Sequence, residues 1–160
     1  MYFDDITYMK RALAQAKQAA SIDEVPIGAV VVYQDRVIAQ AYNRREIDRD
    51  PAGHAEFIAM ERAARYLGAW RLSGCTVYVT LEPCLMCAGL MYQARIDRCV
   101  FGAFDPKAGA LGSLYRINED ERLNHTFEVE GGVEEEACAQ LLKDFFAAKR
   151  LARKKSKTEE

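Results

Sequence analysis

The apolar residues of this chain recur at two spacings, one typical of helices and the other typical of strands. The helical spacing begins after Asp4 or Asp5, either of which can cap a helix, and it ends near Ser21. The apolar residues of this segment are Ile6, Met9, Leu13, Ala16 and Ala20. Neighbours in this series stand three or four positions apart, so they share one helical face. The segment therefore predicts an amphipathic first helix.

Runs rich in β-branched residues follow and then alternate with helical stretches. Two such runs flank Gln34-Asp35, which fits a tight hairpin even without the glycine that these turns favour. The predicted elements are strands over 28–33 and 36–42, a helix over 55–67, a strand over 75–80, a helix over 84–94 and a strand over 98–102. This alternation predicts a mixed sheet covered by helices, with ligands near strand ends where helices begin.

Length and composition favour one domain. The chain has 160 residues, half of them apolar, and no change in composition marks an internal linker. Residues 1–5 carry acids and no long apolar run, and no stretch approaches transmembrane length, so we expect a cytoplasmic protein without a membrane anchor. Cys75, Cys99 and Cys138 lie in apolar segments, which is typical of core packing in a reducing compartment.

Charge is distributed unevenly near the carboxyl end. The formal net charge of -2 argues against a general nucleic-acid binder, yet residues 149–157 carry basic and no acidic side chains. A last helix is predicted to open at residues 134–136 and to close at Lys149 and Arg150. Phe146 is rotated about 100° from Phe145, so one ring is free either to edge the core or to stack on a base. The basic residues beyond it are either a solvated, frayed end or a contact for RNA phosphates.

Two short segments carry the candidate chemistry. His54 and Glu56 stand two residues apart, and Cys84 and Cys87 stand three apart directly after Pro83. Proline is favoured at helix starts, so both sulfurs are expected on one face of a first helical turn, where free N–H groups stabilise thiolates. One histidine and two cysteines supply three zinc ligands and leave one tetrahedral position open for water, as in catalytic zinc sites. Glu56 is then a proton carrier and not a ligand.

Each of these residues also has an ordinary structural interpretation. An isolated C-x-x-C occurs in redox pairs and in halves of structural zinc sites, and a histidine beside a glutamate is often a surface pair. Asn43, at the end of the second predicted strand, is either a turn residue or an amide that enters a pocket. Residues 102–112 are either a solvent loop or a loop that selects the substrate. The joint pattern H-x-E followed by P-C-x-x-C favours catalysis over these alternatives.

The joint pattern is the signature of the zinc deaminases that act on nucleobases. Further segments, in the same order, resemble the bacterial tRNA adenosine deaminases. These segments are Glu24 to Ala29, Asn43-Arg44, Thr80 to Gly89, Gly102 to Lys107, Gly112 to Leu114, Leu123 to His125 and Phe145-Phe146. The resemblance covers nearly the whole chain, so we expect a deaminase domain over residues 1–150 and a basic tail over residues 151–160.

The resemblance implies a fold, a reaction and a set of residues. The implied fold is the cytidine deaminase-like one, three α/β/α layers around a mixed sheet of about five strands. The implied reaction is hydrolytic deamination of adenosine to inosine at the wobble position of a tRNA anticodon, by a cytoplasmic homodimer with one zinc ion per chain. Glu56 would carry protons beside the ligands His54, Cys84 and Cys87. The implied substrate-binding residues are Asn43, Ala55, Pro83, Asp105, Lys107, His125, Phe146 and Arg150.

Two other functions remain open from the sequence. A deaminase of a free base or nucleotide, such as guanine or a cytidine compound, would share the zinc signature without needing the aromatic and basic last helix. A zinc module without catalysis would need a fourth protein ligand, and His125 is the only other histidine. Phe104 departs from the resemblance, because relatives often carry a charged or polar residue there, so the resemblance implies no substrate contact at this position.

Overall fold

The protein, described over residues 3–159 by a computed structural model, is built around a five-stranded sheet. The strands are β1 (Gly28–Tyr33), β2 (Arg36–Tyr42), β3 (Cys75–Leu81), β4 (Arg98–Ala103) and β5 (Glu128–Gly131). The helices are α1 (Phe3–Ser21), α2 (Ala55–Leu67), α3 (Leu85–Ala94) and α4 (Glu135–Glu159), with a 3-10 turn at Ile117–Glu119. The strand order is β2-β1-β3-β4-β5, antiparallel where β1 pairs with β2 and β3, and parallel where β4 pairs with β3 and β5.

Successive residues of β1 alternate between two apolar cores, one on each face of the sheet. Val31 belongs to the core that α2 and α3 cover, together with Met60 and Met91. Val30 belongs to the opposite core, which α1 and α4 cover through Met9 and Cys138. Helices on both faces of a mixed sheet confirm the predicted three-layer α/β/α fold.

The parallel pairing of β3 with β4 places their carboxyl ends at one edge of the sheet. Register runs from Thr76 opposite Arg98 to Leu81 opposite Ala103, with α3 as the crossover. In open α/β sheets this edge is where ligands bind, because the loops that lead into helices meet there. We call it the carboxyl edge, and the opposite side of the sheet the amino edge.

The predicted elements match the structure closely where the apolar pattern is long. The predicted helix over 55–67 coincides with α2, and the predicted hairpin forms with Gln34 and Asp35 at φ of 50° and 60°. These left-handed angles are those of a type I′ turn, for which Asn-Gly is the usual sequence. The helix predicted from residue 84 begins one residue later, because Cys84 is its extended N-cap.

The carboxyl-terminal third differs most from the prediction. The fifth strand, β5, has only four residues and was not located from the sequence. The last helix was predicted to close at Lys149 and Arg150, whereas α4 continues to Glu159. The backbone of residues 151–159 is therefore helical, while the division into a domain and a tail at residue 150 stays a prediction. Within residues 3–159, no helix is both long enough and apolar enough to cross a membrane.

Candidate metal centre and adjoining cleft

Three ligand-bearing side chains converge at the carboxyl edge. His54 is the N-cap residue of α2, Cys84 is the N-cap residue of α3, and Cys87 lies in the first turn of α3. His54 Nδ1 lies 3.7 Å from Cys84 Sγ and 3.6 Å from Cys87 Sγ. Ligand bonds of about 2.0–2.1 Å to nitrogen and about 2.3 Å to sulfur give tetrahedral nitrogen-to-sulfur edges of about 3.6 Å. The donor set and its spacing therefore fit one zinc ion.

The three residues also influence one another's protonation. The contact with the Cys87 thiol, followed by the contact with His54, lowers the pKa of Cys84 to about 3. The same sulfur-to-sulfur contact raises the pKa of Cys87, and the hydrogen bond to Cys84 raises the pKa of His54. Cys84 is thus held as a thiolate, the form in which cysteine binds metal.

Glu56 lies in the first turn of α2 and is buried, with 4% of its surface exposed. Burial raises the pKa of its carboxyl to about 7, because the charged form loses its hydration. A carboxyl with such a pKa can both take up and release a proton near neutral pH. Among residues 3–159, the group of converging metal ligands contains His54, Cys84 and Cys87 but not Glu56. The structure therefore places a buried, titratable carboxyl outside the group of candidate ligands.

Glu82, which the sequence analysis missed, fastens the neighbouring loop to the metal segment. Its buried carboxylate accepts hydrogen bonds from the N–H groups of Asp105, Leu111 and Ser113, at 3.0, 3.2 and 2.9 Å, and from the Ser113 hydroxyl. A side chain at Gly109 would collide with this carboxylate. The position of Glu82 between an apolar strand and Pro83 could have indicated this role. A carboxylate buried there costs free energy unless hydrogen-bond donors surround it.

The loop that Glu82 holds carries two of the predicted substrate-binding residues. The Asp105 carboxylate accepts the N–H groups of Lys107 and Ala108, which closes a turn. The Ala110 N–H donates to the Pro83 carbonyl at 2.8 Å, so the loop lies against the segment that bears Cys84. Lys107 is exposed. Phe104 is also exposed at the start of this loop, and its ring meets Phe101 edge to face.

Asn43 connects the metal segment to a cleft beside it. It is buried at the end of β2, and its side-chain amide donates to the Val25 carbonyl at 3.5 Å. The next residue, Arg44, donates its backbone N–H to the carbonyl of Gly53, directly before His54. Ala55 and Pro83 are buried beside the ligands in sequence, Ala55 as the first residue of α2. Ala55 and Pro83 are therefore sequence neighbours of the metal ligands. Asn43 is linked to the His54 segment through the hydrogen bond of Arg44.

The cleft runs along α4 and has a volume of about 700 Å³. It is lined by Asp23, Val25, Arg45, Glu46, Phe145, Phe146, Lys149, Arg150 and Arg153. None of the metal ligands lines it, but Val25, which does, accepts the hydrogen bond from the Asn43 amide. The Phe146 ring is 43% exposed and meets Phe145 edge to face, while Lys149 pairs with Asp23. Phe146 and Arg150 are thus brought together here.

His125 lies away from these residues, at the amino edge of the sheet. Its Nε2 donates to the Ile96 carbonyl at 2.7 Å, and it lines a separate surface depression with Thr76 and Arg98, which lie near the starts of β3 and β4. His125 is therefore not available as a fourth ligand of the metal centre. The alternative of a zinc module without catalysis loses the residue that was its candidate fourth ligand. Its predicted contact with RNA stays a prediction that this placement does not support.

Comparisons with known proteins agree with this site. The chain matches the MafB19-like deaminase family over residues 3–150. It is 49% identical over 153 residues to a tRNA-specific adenosine deaminase of Bacillus subtilis strain 168, covering 96% of this chain and 93% of the relative. A solved structure from work on A-to-I editing by tRNA:A34 deaminases at the wobble position of transfer RNA has a TM-score of 0.82 and 43% identity, covering 85% of this chain and 99% of that one.

A second solved structure, a guanine deaminase from Bacillus subtilis, is more distant. It has a TM-score of 0.61 and 35% identity, covering 65% of this chain and 66% of that one. The likeness to the adenosine deaminases is thus higher in identity, in TM-score and in coverage. The resemblance noted in the sequence is confirmed, and the chain belongs to the MafB19-like deaminases and to the family of tRNA-specific adenosine deaminases.

Proposed function

We propose that this protein hydrolyses adenosine to inosine at the wobble position of a tRNA anticodon. The observation that carries the proposal is the convergence of His54, Cys84 and Cys87 beside the buried Glu56, which lies outside that group. It is supported by a relative with 49% identity that is named a tRNA-specific adenosine deaminase. In the reaction, water oxygen bonds to C6 of adenine, the C6–N6 bond breaks and ammonia leaves.

His54, Cys84 and Cys87 would hold one zinc ion. Bound zinc would supply Lewis acidity, which makes water a nucleophile at neutral pH. Glu56 accepts one proton from the attacking water and passes it to N1 of the ring. It then accepts the second proton from the oxygen now bonded to C6 and passes it to the departing amine. Because the Glu56 carboxyl is buried next to the ligands, bulk water does not compete for these protons.

Asn43 selects a purine in this proposal. Its amide can donate a hydrogen bond to N7, an acceptor that purines have and cytosine lacks. The amide is buried, and its one hydrogen bond to a residue within 3–159 is the long one to the Val25 carbonyl, at 3.5 Å. It can therefore turn toward a base without breaking a strong interaction. The loop that carries Asp105 and Lys107 would contact the nucleotides around the target.

The cleft along α4 is our candidate site for the rest of the anticodon loop. A base that leaves the stack must be held, and Phe146 offers an exposed aromatic ring on which a neighbouring base can stack. Arg150 and Arg153 line the same cleft and can contact the RNA backbone.

We further propose that two chains associate, since the exposed apolar side chains of Leu85 and Met86 stand beside the metal ligands. We also propose that the enzyme works in the cytoplasm.

Inosine formation tests the proposal. The purified zinc-loaded protein should deaminate an anticodon stem-loop with adenosine at the wobble position, and a hairpin with guanosine there should give no product. The matched comparison is free adenosine and free guanine at the same concentration. Rapid ammonia release from free guanine, with no inosine in the hairpin, would favour the free-base deaminase to which the 35% identity to guanine deaminase points.

A further inference from the structure

Helix α4 extends beyond the part of the chain that matches the deaminase family. The family match ends at residue 150, whereas the helix continues to Glu159. Every side chain from Leu151 to Thr158 is exposed to solvent. Packing against the rest of the protein therefore does not explain the amino-acid sequence of this extension.

The basic residues of the extension continue the face of α4 that lines the cleft. Phe146, Arg150 and Arg153 line the cleft, and Lys157 follows Arg153 by four positions. At about 100° per residue, these four side chains fall within about 60° of one another around the helix axis. Lys155 lies about 200° away from Lys157, on the opposite side. From Phe146 to Lys157 the face spans about 16 Å.

Three cations on this face lack an ion-pair partner among the described residues. Over residues 3–159, Lys149 pairs with Asp23, but Arg150, Arg153 and Lys157 form no ion pair. Like charges four residues apart, as in Arg153 and Lys157, repel each other and weaken an isolated helix. A bound polyanion would remove that cost.

We propose that the face formed by Phe146, Arg150, Arg153 and Lys157 follows the RNA backbone out of the anticodon loop and onto the anticodon stem. This inference rests on the proposed function, because it extends the cleft in which the loop would bind. A duplex stem presents the densest phosphate charge near the loop, which suits a straight row of cations. An anionic membrane suits it less, since Leu151 is the only large apolar side chain in residues 150–158 and a surface-bound helix needs an apolar face.

Two single substitutions with the same charge change test the face. Lys157→Glu reverses a charge on the proposed RNA face, and Lys155→Glu reverses one on the opposite side of the same helix. Affinity for the anticodon stem-loop would be measured over a range of salt concentrations. Lys157→Glu should weaken binding by up to about fivefold and make the slope of log affinity against log salt shallower by about 0.7 to 0.9. Lys155→Glu should leave both quantities near the wild-type values.

The same hairpin with uncharged methylphosphonate linkages in its stem locates the contact. On that RNA the difference between Lys157→Glu and the wild type should disappear. Equal losses from both substitutions, no loss from Lys157→Glu, or a loss that persists on the uncharged stem would each overturn the proposal. So would tighter binding of the wild type to phosphatidylserine vesicles than to the hairpin at the same salt concentration, because that preference would point to a lipid surface.

Two controls separate loss of the RNA contact from unfolding of the helix and from failure of the proposed function. Circular dichroism should give the same helix content for all variants, and Lys157→Ala replaces Lys157→Glu if the reversal unwinds the end of α4. Inosine formation by the wild-type enzyme is measured on the same hairpin. If the wild type forms inosine while Lys157→Glu binds the hairpin normally, the extended RNA face is wrong and the proposed function stands. If the wild type forms no inosine, the proposed function itself fails.

Discussion

The metal centre and the α4 cleft are built from different kinds of interaction. At the metal centre, Glu56 and Glu82 are buried, and Glu82 alone accepts four hydrogen bonds. In the cleft, Phe146 is 43% exposed and the cations of α4 are largely in solvent. Chemistry needs groups held in fixed positions, whereas recognition of a flexible loop tolerates mobile ones. Substitutions at the metal centre should therefore reduce zinc content or turnover, whereas substitutions in the cleft should reduce affinity for RNA.

The largest effect should come from the metal ligands. His54→Ala or Cys84→Ser should abolish inosine formation and lower bound zinc from about one per chain, because each removes one of three protein ligands. Atomic absorption on the purified variants measures the metal. Cys75→Ala, at a buried cysteine outside the centre, serves as the control and should keep its zinc. Full zinc content in His54→Ala would contradict the ligand assignment.

Glu56→Gln should separate proton transfer from metal binding. We expect the variant to keep its zinc and its melting temperature while the turnover number falls by roughly 10²- to 10⁴-fold, the usual contribution of general acid–base catalysis. Glu61→Gln, at an exposed position of the same helix, is the matched control and should be fully active. Loss of zinc from Glu56→Gln would mean that this carboxylate is a ligand.

Glu82→Gln tests whether the metal centre depends on a fixed neighbouring loop. An amide group in place of one carboxylate oxygen faces N–H donors and leaves at least one of them unsatisfied, so the free energy of unfolding should fall by about 1–3 kcal/mol. The Michaelis constant for the hairpin should rise as the loop that carries Asp105 loosens. Denaturant unfolding and steady-state kinetics measure the two effects.

The exposed Glu136→Gln is the control for that substitution and should change neither quantity. An unchanged unfolding curve for Glu82→Gln would show that its hydrogen bonds do not stabilise the loop.

Phe146→Ala should act only on recognition. Loss of a stacked base costs about 1–3 kcal/mol of binding free energy, and the loss should vary little with salt, because stacking releases few counterions. Zinc content and thermal stability should stay at wild-type values, in contrast to Glu82→Gln. Tyr66→Ala removes a more exposed aromatic ring from α2 and controls for general surface effects. Unchanged hairpin affinity would leave Phe146 as an edge of the core.

The sequence predicted the convergence of His54, Cys84 and Cys87 better than the surfaces around them. The ligands and Glu56 lie in two short motifs at helix starts, so local spacing was enough to place them. Glu82 went unnoticed because its partners, from Asp105 to Ser113, come from a loop whose path depends on tertiary contacts. The four-residue β5 is too short to show a period, and it is specified by pairing with β4. His125 was assigned by resemblance, and only the sheet topology places it at the amino edge.

The β1–β2 turn has a consequence for how this enzyme can adapt to temperature. Gln34 and Asp35 both adopt left-handed angles, which cost side-chain-bearing residues about 1–2 kcal/mol each relative to glycine. The turn lies at the amino edge, since Tyr33 pairs with Cys75 at the start of β3, while the metal ligands lie at the other end. Substitution with glycine at these two positions can therefore raise the thermal stability of the protein. None of the residues that meet substrate would change.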